Sequence, residues 1–337
     1  MSTDGQPDQP DVHTVSIVVP VYRGELHLRA LVAEIAELVT PQKTPDGNPY
    51  RVVEAILVHD CGPDRSAPII RELAADHPWV RPVWLSRNFG QHPATIAGMA
   101  SSSGEWIVTM DEDGQHDPAD IGGLLDSALR HQASLVYAAP TNAAPHSWFR
   151  NATSKAAKWL LNLLSTGADA SQFHSFRLVL GDIGRSVAAY VGQGVYLDVA
   201  LSWVARNPVT SPVRLRDEGE RQSGYNTRTL LSHFWRMVLT TGTRALRLVS
   251  LIGVAFALFG ILLAVGLVVD RLNGGDVPKG WTSQIVVTLV SAGLMLFSLG
   301  VVAEYIGVAV NMAMGRPLYL VTGDPESGPL GRRHDGS

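Results

Sequence analysis

The chain has 337 residues, a single cysteine and a formal net charge of −4, and 46% of its residues are apolar. One cysteine excludes an internal disulfide and fits a reducing compartment, while the mild negative charge argues against nucleic acid as a partner. Residues 1–12 are polar and lack the apolar stretch of a signal peptide.

Short apolar runs alternate with helical patterns over the first 140 residues. Strands are predicted at residues 15–19, 52–58, 80–85, 106–110 and 135–138, and helices at residues 28–38, 68–75 and 93–100. Such alternation is typical of a doubly wound parallel sheet with helices on both faces. No Gly-x-Gly-x-x-Gly follows the first strand, which disfavours a dinucleotide site.

Three acids, Asp111, Glu112 and Asp113, directly follow the fourth predicted strand, and Asp117 with Pro118 then indicates a helix start. Open α/β sheets bind ligands at the carboxyl ends of their strands. In an extended chain Asp111 and Asp113 would project to the same side. Two such oxygen ligands suit Mg²⁺ or Mn²⁺ shared with a diphosphate. The alternative is an acidic surface turn that binds nothing.

The composition changes after Arg221. Residues 221–247 contain five arginines, no acid and an apolar face, which predicts a helix lying on a membrane surface. Residues 248–269 and 285–303 are uncharged, and each run can cross a hydrocarbon core of about 30 Å as a helix. The flanking arginines place both ends in the cytoplasm, which predicts a two-pass protein of the cell inner membrane. A buried helix pair of a soluble protein is the alternative.

An ordered set of motifs resembles a known family. The motifs are Val-Val-Pro-Val-Tyr at 18–22, Arg-Asn-Phe-Gly-Gln-His at 87–92, Met-Asp-Glu-Asp-Gly-Gln at 110–115, Ser-Trp-Phe-Arg-Asn-Ala-Thr-Ser-Lys at 147–155, Ser-Phe-Arg-Leu at 175–178, Arg-Gln-Ser-Gly-Tyr at 221–225 and Glu-Tyr-Ile-Gly at 304–307. Together they resemble glycosyltransferase family 2, and within it the polyisoprenyl-phosphate glycosyltransferases of the dolichol-phosphate-mannose-synthase type. The chain is most similar to the bacterial branch with two C-terminal membrane helices, which loads undecaprenyl phosphate.

The resemblance implies a GT-A fold and a metal-dependent, inverting transfer of a sugar from a UDP- or GDP-sugar to the phosphate of a polyprenyl phosphate. It implies that donor-binding positions are Pro20, Tyr22, Glu25, Asp60, Arg87, Asn88, Asp111 and Ser223. Asp111, Asp113 and Gln115 match the positions that hold Mg²⁺ or Mn²⁺. Arg150 and Ser154 match the pair that binds the acceptor phosphate, and Arg221 with Ser223 matches a loop that closes over the donor. The implied catalytic set is Asp111, Asp113, Arg150, Ser154 and Arg221.

Some positions depart from the family pattern or allow two interpretations. His59 replaces the first acid of the usual Asp-Asp-Gly-Ser turn, and we interpret it as a packed core histidine. The acid of the usual Pro-Val-Tyr-Asn-Glu moves to Glu25. Arg87 and Asn88 either contact the nucleotide or only brace the end of the strand. We interpret Cys61 as unreactive, and three histidines as solvated loop residues rather than ligands: His92, His116 and His174.

The predicted domains are a disordered tail (1–13), a GT-A catalytic domain (14–220), a juxtamembrane loop and amphipathic helix (221–247), a two-helix transmembrane hairpin (248–310) and a cytoplasmic tail (311–337). The expected partners are a nucleotide sugar, a polyprenyl phosphate and a membrane; the oligomeric state stays open, a homo-oligomer included. One rival function is a processive polysaccharide synthase, but the chain lacks the Gln-x-x-Arg-Trp motif of those enzymes. The other is a non-catalytic membrane scaffold on a decayed transferase fold, which the loss of an acid at His59 favours and the intact Asp111 opposes.

Overall fold

The computed structural model describes residues 12–142, 172–192, 195–216, 280–315 and 317–328, together with scattered residues between 249 and 273. The strands are β1 His13–Val21, β2 Gln42–Lys43, β3 Pro49–His59, β4 Val80–Leu85, β5 Trp106–Thr109, β6 Leu135–Pro140, β7 Arg177–Leu180, β8 Val209–Val213 and β9 Val321–Thr322. The helices are α1 Leu28–Ala36, α2 Ser66–Asp76, α3 Gln91–Ala100, α4 Ile121–His131, α5 Gly181–Tyr190, α6 Leu197–Val204 and α7 Trp281–Ala313, and a 3₁₀ turn at Pro118–Asp120 precedes α4.

The strands form one mixed sheet in the order β8-β6-β7-β5-β1-β3-β4-β9, and β2 pairs with β3. The β5-β1-β3-β4 part is parallel, as predicted. The predicted mostly parallel sheet is confirmed, although β7 pairs antiparallel with both β5 and β6. Only four residues long, β7 was not predicted, and the register that places it in the middle of the sheet depends on partners far away in the sequence. The architecture is a GT-A-like α/β fold with a mostly parallel mixed sheet.

Helices cover both faces of the sheet, which confirms that part of the prediction. On one face α1, α2 and α4 pack on alternate residues of the central strands, such as Ile17 and Leu57. On the other face α3, α5 and α6 pack on the residues in between, such as Val18 and Ile56. Because the side-chain period of a strand is two, strands buried on both faces are continuously apolar, as β1 is over residues 17–21. A Cβ at Gly98 of α3 would lie 2.3 Å from Val18 Cγ1, so this glycine lets α3 pack closely on the sheet.

The carboxyl ends of the four parallel strands lie side by side at the same end of the sheet. The residues that follow them are Tyr22 after β1, Asp60 after β3, the 86–90 loop after β4, and Met110 with Asp111 after β5. Adjacent parallel strands bring these ends side by side, so the polar residues that follow them converge.

One helix of the described residues is long and apolar enough to cross a membrane, Val290–Gly307 within α7, and only 6% of this window is buried. It falls on the second predicted span. A shorter apolar helix, Gly253–Leu262, falls on the first span, part of which lies outside the described residues. The two-helix hairpin is therefore not confirmed.

Residues 317–328, which we name the C-terminal strap, follow α7 and contact the α/β domain. Its strand β9 pairs antiparallel with β4 at the sheet edge, and the Ser86 N–H donates to the Leu320 carbonyl at 3.0 Å. Arg71 of α2 donates two hydrogen bonds of 2.7 Å to Asp324, and its guanidinium lies 4.8 Å from the Trp84 ring centroid. The strap was predicted only as a cytoplasmic tail, and its docking on the sheet edge was not foreseen.

Candidate active site

The acidic segment after β5 folds into a turn instead of continuing as a strand. Gly114 has φ +76°, a conformation that residues with a Cβ rarely adopt. Asp113 Oδ1 accepts a hydrogen bond from the Gln115 N–H at 3.2 Å. The condition under which Asp111 and Asp113 would project to the same side of an extended chain is therefore not met. Asp117 accepts from the Ala119 N–H at 2.9 Å, which confirms the predicted N-cap.

The Asp111 side chain stands in the wall shared by two cavities, and both of its oxygens are held. Gln91 Nε2 donates to Oδ1 at 2.5 Å, and the Ser175 hydroxyl donates to Oδ2 at 2.6 Å. Gln91 begins α3, and Ser175 precedes β7, so elements on either side of β5 orient this carboxylate. Pro20, Gln91 and Asp111 line both cavities.

The larger cavity, about 410 Å³, lies at the ends of β1, β3, β4 and β5. It brings together six of the predicted site residues: Pro20, Tyr22, Asp60, Asn88, Asp111 and Asp113. Its wall also contains Glu112, which was named only as one of the three acids after the fourth predicted strand, and Gly90 and Gln91, which were not singled out from the sequence. The agreement follows from the parallel strands, because each contributes the residues that come directly after its last apolar position.

Two carboxylates hold the rim of this cavity through backbone N–H groups. Glu112 accepts from the Tyr22 and Arg23 N–H groups at 2.9 and 2.8 Å. Asp60 accepts from the Phe89 and Gly90 N–H groups at 2.7 and 2.8 Å, and burial raises its pKa above the ordinary value. Asp60 thus ties the end of β3 to the loop after β4. A carboxylate held by two donors is a strongly oriented wall group.

Glu25 and Arg87 do not line either cavity. The Glu25 carboxylate accepts from the Arg65 N–H at 3.2 Å, so it joins the loop after β1 to the start of α2. Its prediction as a donor-binding residue rested on a shift of the family motif, and the acid that reaches the cavity wall is Glu112 instead. The Arg87 guanidinium lies 4.3 Å from the Phe89 ring centroid, which fits a bracing role at this loop.

The smaller cavity, about 260 Å³, lies on the other side of Asp111 and has a charged floor. Arg177 of β7 and Asp198 of α6 form an ion pair there and are each 3% exposed. The Tyr137 hydroxyl donates to Asp198 Oδ1 at 3.0 Å, and Arg177 Nε donates to the Thr109 hydroxyl at 3.1 Å. Burial acts to lower the Arg177 pKa, but the surrounding acidic groups, Asp198 foremost, together outweigh it and raise that pKa above its ordinary value.

Sequence reasoning missed this floor, although a signal was present. Arg177 is the only charged residue in the otherwise apolar run 176–180, and Asp198 is the only charged residue in the otherwise apolar run 197–201. A charged residue in a buried run needs a partner of opposite charge. Two such residues of opposite sign are candidates for one buried pair, but only the fold shows that β7 and α6 bring them together.

The histidines near the site differ from their interpretation as solvated residues. His116 is 3% exposed, its ring stacks on Phe176 with centroids 4.9 Å apart, and burial lowers its pKa. His174 lines the smaller cavity, and burial lowers its pKa to about 4, so it is neutral at physiological pH. The His92 ring lies 4.0 Å from the Tyr196 ring.

The remaining interpretations of single residues hold. His59 is 8% exposed and packs against Trp84 with ring centroids 5.3 Å apart, which confirms it as a core histidine. Burial raises the pKa of the Cys61 thiol, which confirms that this cysteine is not activated.

The donor chemistry of Asp111 and Asp113 suits a divalent metal, although no group of three or more acidic, histidine or cysteine side chains with metal-binding geometry occurs within the described ranges. The Asp111 and Asp113 carboxylates both line the larger cavity. Mg²⁺ or Mn²⁺ commonly completes its coordination shell with water and substrate phosphate. The groups that hold Asp111 are a neutral amide and a hydroxyl, which a cation can displace. Gln115 follows Asp113 in the same turn.

Four predicted site residues lie outside the described residues: Arg150, Ser154, Arg221 and Ser223. The predicted amphipathic helix at 221–247 lies there as well. Their roles stay predictions.

Comparisons with known proteins identify the family that the chain resembles. Residues 16–183 match the family described as "Glycosyl transferase family 2". An undecaprenyl-phosphate 4-deoxy-4-formamido-L-arabinose transferase of Edwardsiella ictaluri is 29% identical over 322 residues, which cover 93% of this chain and 95% of the relative. A bactoprenol glucosyl transferase of Shigella phage SfV is 27% identical over 316 residues, which cover 93% and 99%.

Among solved structures, glucosyl-3-phosphoglycerate synthase from Mycobacterium tuberculosis in complex with Mn²⁺ and UDP-glucose aligns with a TM-score of 0.47 and 19% identity. The alignment covers 69% of this chain and 79% of that one.

Proposed function

Because the chain belongs to glycosyltransferase family 2 through residues 16–183 and is an enzyme of that class, we propose that it transfers a sugar from a nucleotide-sugar donor to the phosphate of a polyprenyl phosphate at a membrane. The observation that carries the proposal is the position of Asp111 in the wall between two cavities. A group transfer needs the bond that breaks to lie beside an oriented charge, with room on both sides of it.

The larger cavity is our candidate for the nucleotide and its diphosphate. Its wall combines Tyr22 with backbone N–H groups that carboxylates already hold in place, and it ends at Asp111 and Asp113. Mg²⁺ or Mn²⁺ held by Asp111 and Asp113, with Gln115 beside them, would neutralise the charge that develops on the departing diphosphate. Of the two family roles left open for Asn88, lining this cavity favours contact with the donor.

The acceptor chemistry explains why no general base is required. A phosphate monoester has a second pKa of about 6 and is mostly a dianion at pH 7, so it can attack the anomeric carbon directly. It needs positioning and relief from repulsion by the donor diphosphate. Arg150 and Ser154 are four residues apart, hence on one face if helical, and could offer a guanidinium fork and a hydroxyl to one phosphate. One displacement at the anomeric carbon inverts its configuration.

We further propose that the predicted hairpin at 248–310 anchors the catalytic domain to the cytoplasmic face of the inner membrane, where such a lipid acceptor lies. The exposed apolar surface of Val290–Gly307 supports the second span. Both full-length relatives are named for lipid-linked acceptors, undecaprenyl phosphate and bactoprenol. Arg221 and Ser223 would close over the donor beside this surface.

The decisive experiment uses the full-length protein in membranes. Incubation with undecaprenyl phosphate, Mn²⁺ and a panel of UDP- and GDP-sugars should give a lipid-linked sugar that mass spectrometry identifies. Binding of a nucleotide sugar without any lipid product across the panel would favour the scaffold. A polymeric product would favour the processive synthase.

Arg150 tests the acceptor site separately. Arg150→Lys should raise the acceptor KM or lower kcat at saturating donor, because lysine cannot reproduce bidentate contact with phosphate. Donor binding should change little. Arg130→Lys, the same exchange at an arginine of α4 that lines neither cavity, is the matched control. A defect in Arg150→Lys confined to donor binding would move the acceptor site elsewhere.

A further inference from the structure

The smaller cavity is polar, and the proposed function assigns no part of the nucleotide to it. It opens on the opposite side of Asp111 from the larger cavity, between β5, β7, α3 and α6. Its floor contains a basic and an acidic side chain, Arg177 and Asp198, in direct contact with each other. Charges this deeply buried are costly unless they are paired, so the floor presents polar groups while its net charge is zero.

We propose that this cavity receives the sugar ring of the donor and selects an uncharged sugar against a uronic acid, with the Arg177–Asp198 pair as the specificity determinant. The proposal rests on the proposed function and deepens it. It concerns the class of sugar, which the family resemblance leaves open.

The position of the cavity makes a sugar its natural occupant. A diphosphate beside Asp111 and Asp113 carries the nucleoside on one side, in the larger cavity, and the sugar on the other. The space on that other side is the smaller cavity of about 260 Å³, with Ser175, His174 and Tyr196 among its polar walls. Side chains that donate and accept hydrogen bonds suit the hydroxyl groups of a sugar ring.

The charges in the walls decide which sugars are accepted. A uronate carboxylate would need a cation, and Arg177 already shares its charge with Asp198. His174 supplies no positive charge near pH 7, because burial keeps its pKa low. An uncharged ring makes hydrogen bonds here, while a uronate carboxylate finds no unpaired arginine or lysine among the described residues that line the cavity.

The test measures binding of matched donors to the full-length protein by calorimetry in the presence of Mn²⁺. The nucleotide is UDP or GDP, whichever binds, and the pair is UDP-glucose and UDP-glucuronate or GDP-mannose and GDP-mannuronate. We expect the wild type to bind the uncharged sugar about tenfold or more tightly than its uronate. Asp198→Asn keeps the shape of the side chain but leaves Arg177 uncompensated, so that ratio should fall about tenfold.

Glu54→Gln is the matched control. Glu54 is also a buried carboxylate paired with an arginine, Arg81, but it lies near the amino ends of the parallel strands, away from both cavities. Its replacement should leave the ratio of the two affinities unchanged. A comparable change of ratio in Glu54→Gln would show that the effect in Asp198→Asn is not local and would overturn the proposal.

Two further outcomes overturn the inference while leaving the proposed function intact. One is wild-type protein that binds both donors of a pair equally, a result that decides the matter even if Asp198→Asn does not fold. The other is a folded Asp198→Asn variant with normal affinity for UDP or GDP and an unchanged ratio. Failure of every nucleotide and nucleotide sugar to bind would instead contradict the proposed function.

Discussion

The two cavities that meet at Asp111 are built in different ways. The larger one lies among loops at the ends of parallel strands, and its rim is held by carboxylates that accept hydrogen bonds from backbone N–H groups. The smaller one has a floor of buried side chains that project from β7 and α6, held by contacts with one another. Loop backbone can present N–H groups whatever the side chains are. A buried ion pair depends on both of its members.

This difference predicts how substitutions around each cavity affect binding and folding. We expect substitutions on the rim of the larger cavity to affect binding more than folding. Substitutions in the floor of the smaller cavity should affect folding first, because removal of one member leaves a buried charge without a partner.

The strongest test of the comparison is Arg177→Met. It leaves Asp198 buried without its counterion, and breaking such a pair costs about 3–5 kcal/mol of unfolding free energy. Thermal or denaturant unfolding of the catalytic domain measures the loss. Adding Asp198→Leu should recover part of the lost stability, since a buried pair replaced by apolar groups is often tolerated. A stability of Arg177→Met equal to that of the wild type would mean that the floor is open to water.

Asp111→Asn tests the wall between the cavities. The amide keeps the size of the side chain but loses its charge, so we expect transfer to fall by about 10²–10³, the scale found when one electrostatic group is removed from an active site. The melting temperature should change little. EDTA should stop the wild-type reaction, and added Mn²⁺ should restore it. Full activity in the variant or in the chelated enzyme would contradict the assignment.

The C-terminal strap provides a smaller effect, because its main polar contact is only partly buried. Arg71 and Asp324 are 23% and 21% exposed in their side chains, and they share two hydrogen bonds. A double-mutant cycle with Arg71→Met and Asp324→Asn should give a coupling free energy of about 1–2 kcal/mol at pH 7. The exposed Arg29–Glu72 pair, each half exposed, is the control and should couple more weakly.

The coupling free energy between Arg71 and Asp324 should depend on pH. The hydrogen bonds from Arg71 are the main cause of the lowered Asp324 pKa in the folded protein. A lowered folded pKa means that the stabilisation is fully present above the unfolded value, about 3.9. It is lost as the pH falls below that value and through the lower folded pKa. The coupling free energy should therefore be constant from pH 7 to about 5 and decline in more acidic buffer; a coupling that grows in acid would have the wrong sign.

The sequence by itself determined the parallel half of the sheet and the contents of the larger cavity. Continuous apolar runs such as residues 17–21 are buried on both faces, and the residues that end those runs must come together when the strands are parallel. Asp111 and Asp113 were found this way, because strand order does not change which end of a parallel strand carries the polar residue, whereas Asp60 and Asn88 were implied by the family resemblance. Local chemistry also predicted the Asp117 cap.

Only the tertiary structure decided the antiparallel β7, the direction of Glu112, the pairing of Arg177 with Asp198, and the docking of the C-terminal strap on β4. Each depends on contact between segments far apart in the chain, from 21 residues for the buried pair to 253 for Arg71 and Asp324. Periodicity and capping signals act over a few residues and carry no information about such partners. A lone charge in an apolar run shows that a partner must exist, but only the packing of β7 against α6 shows which residue it is.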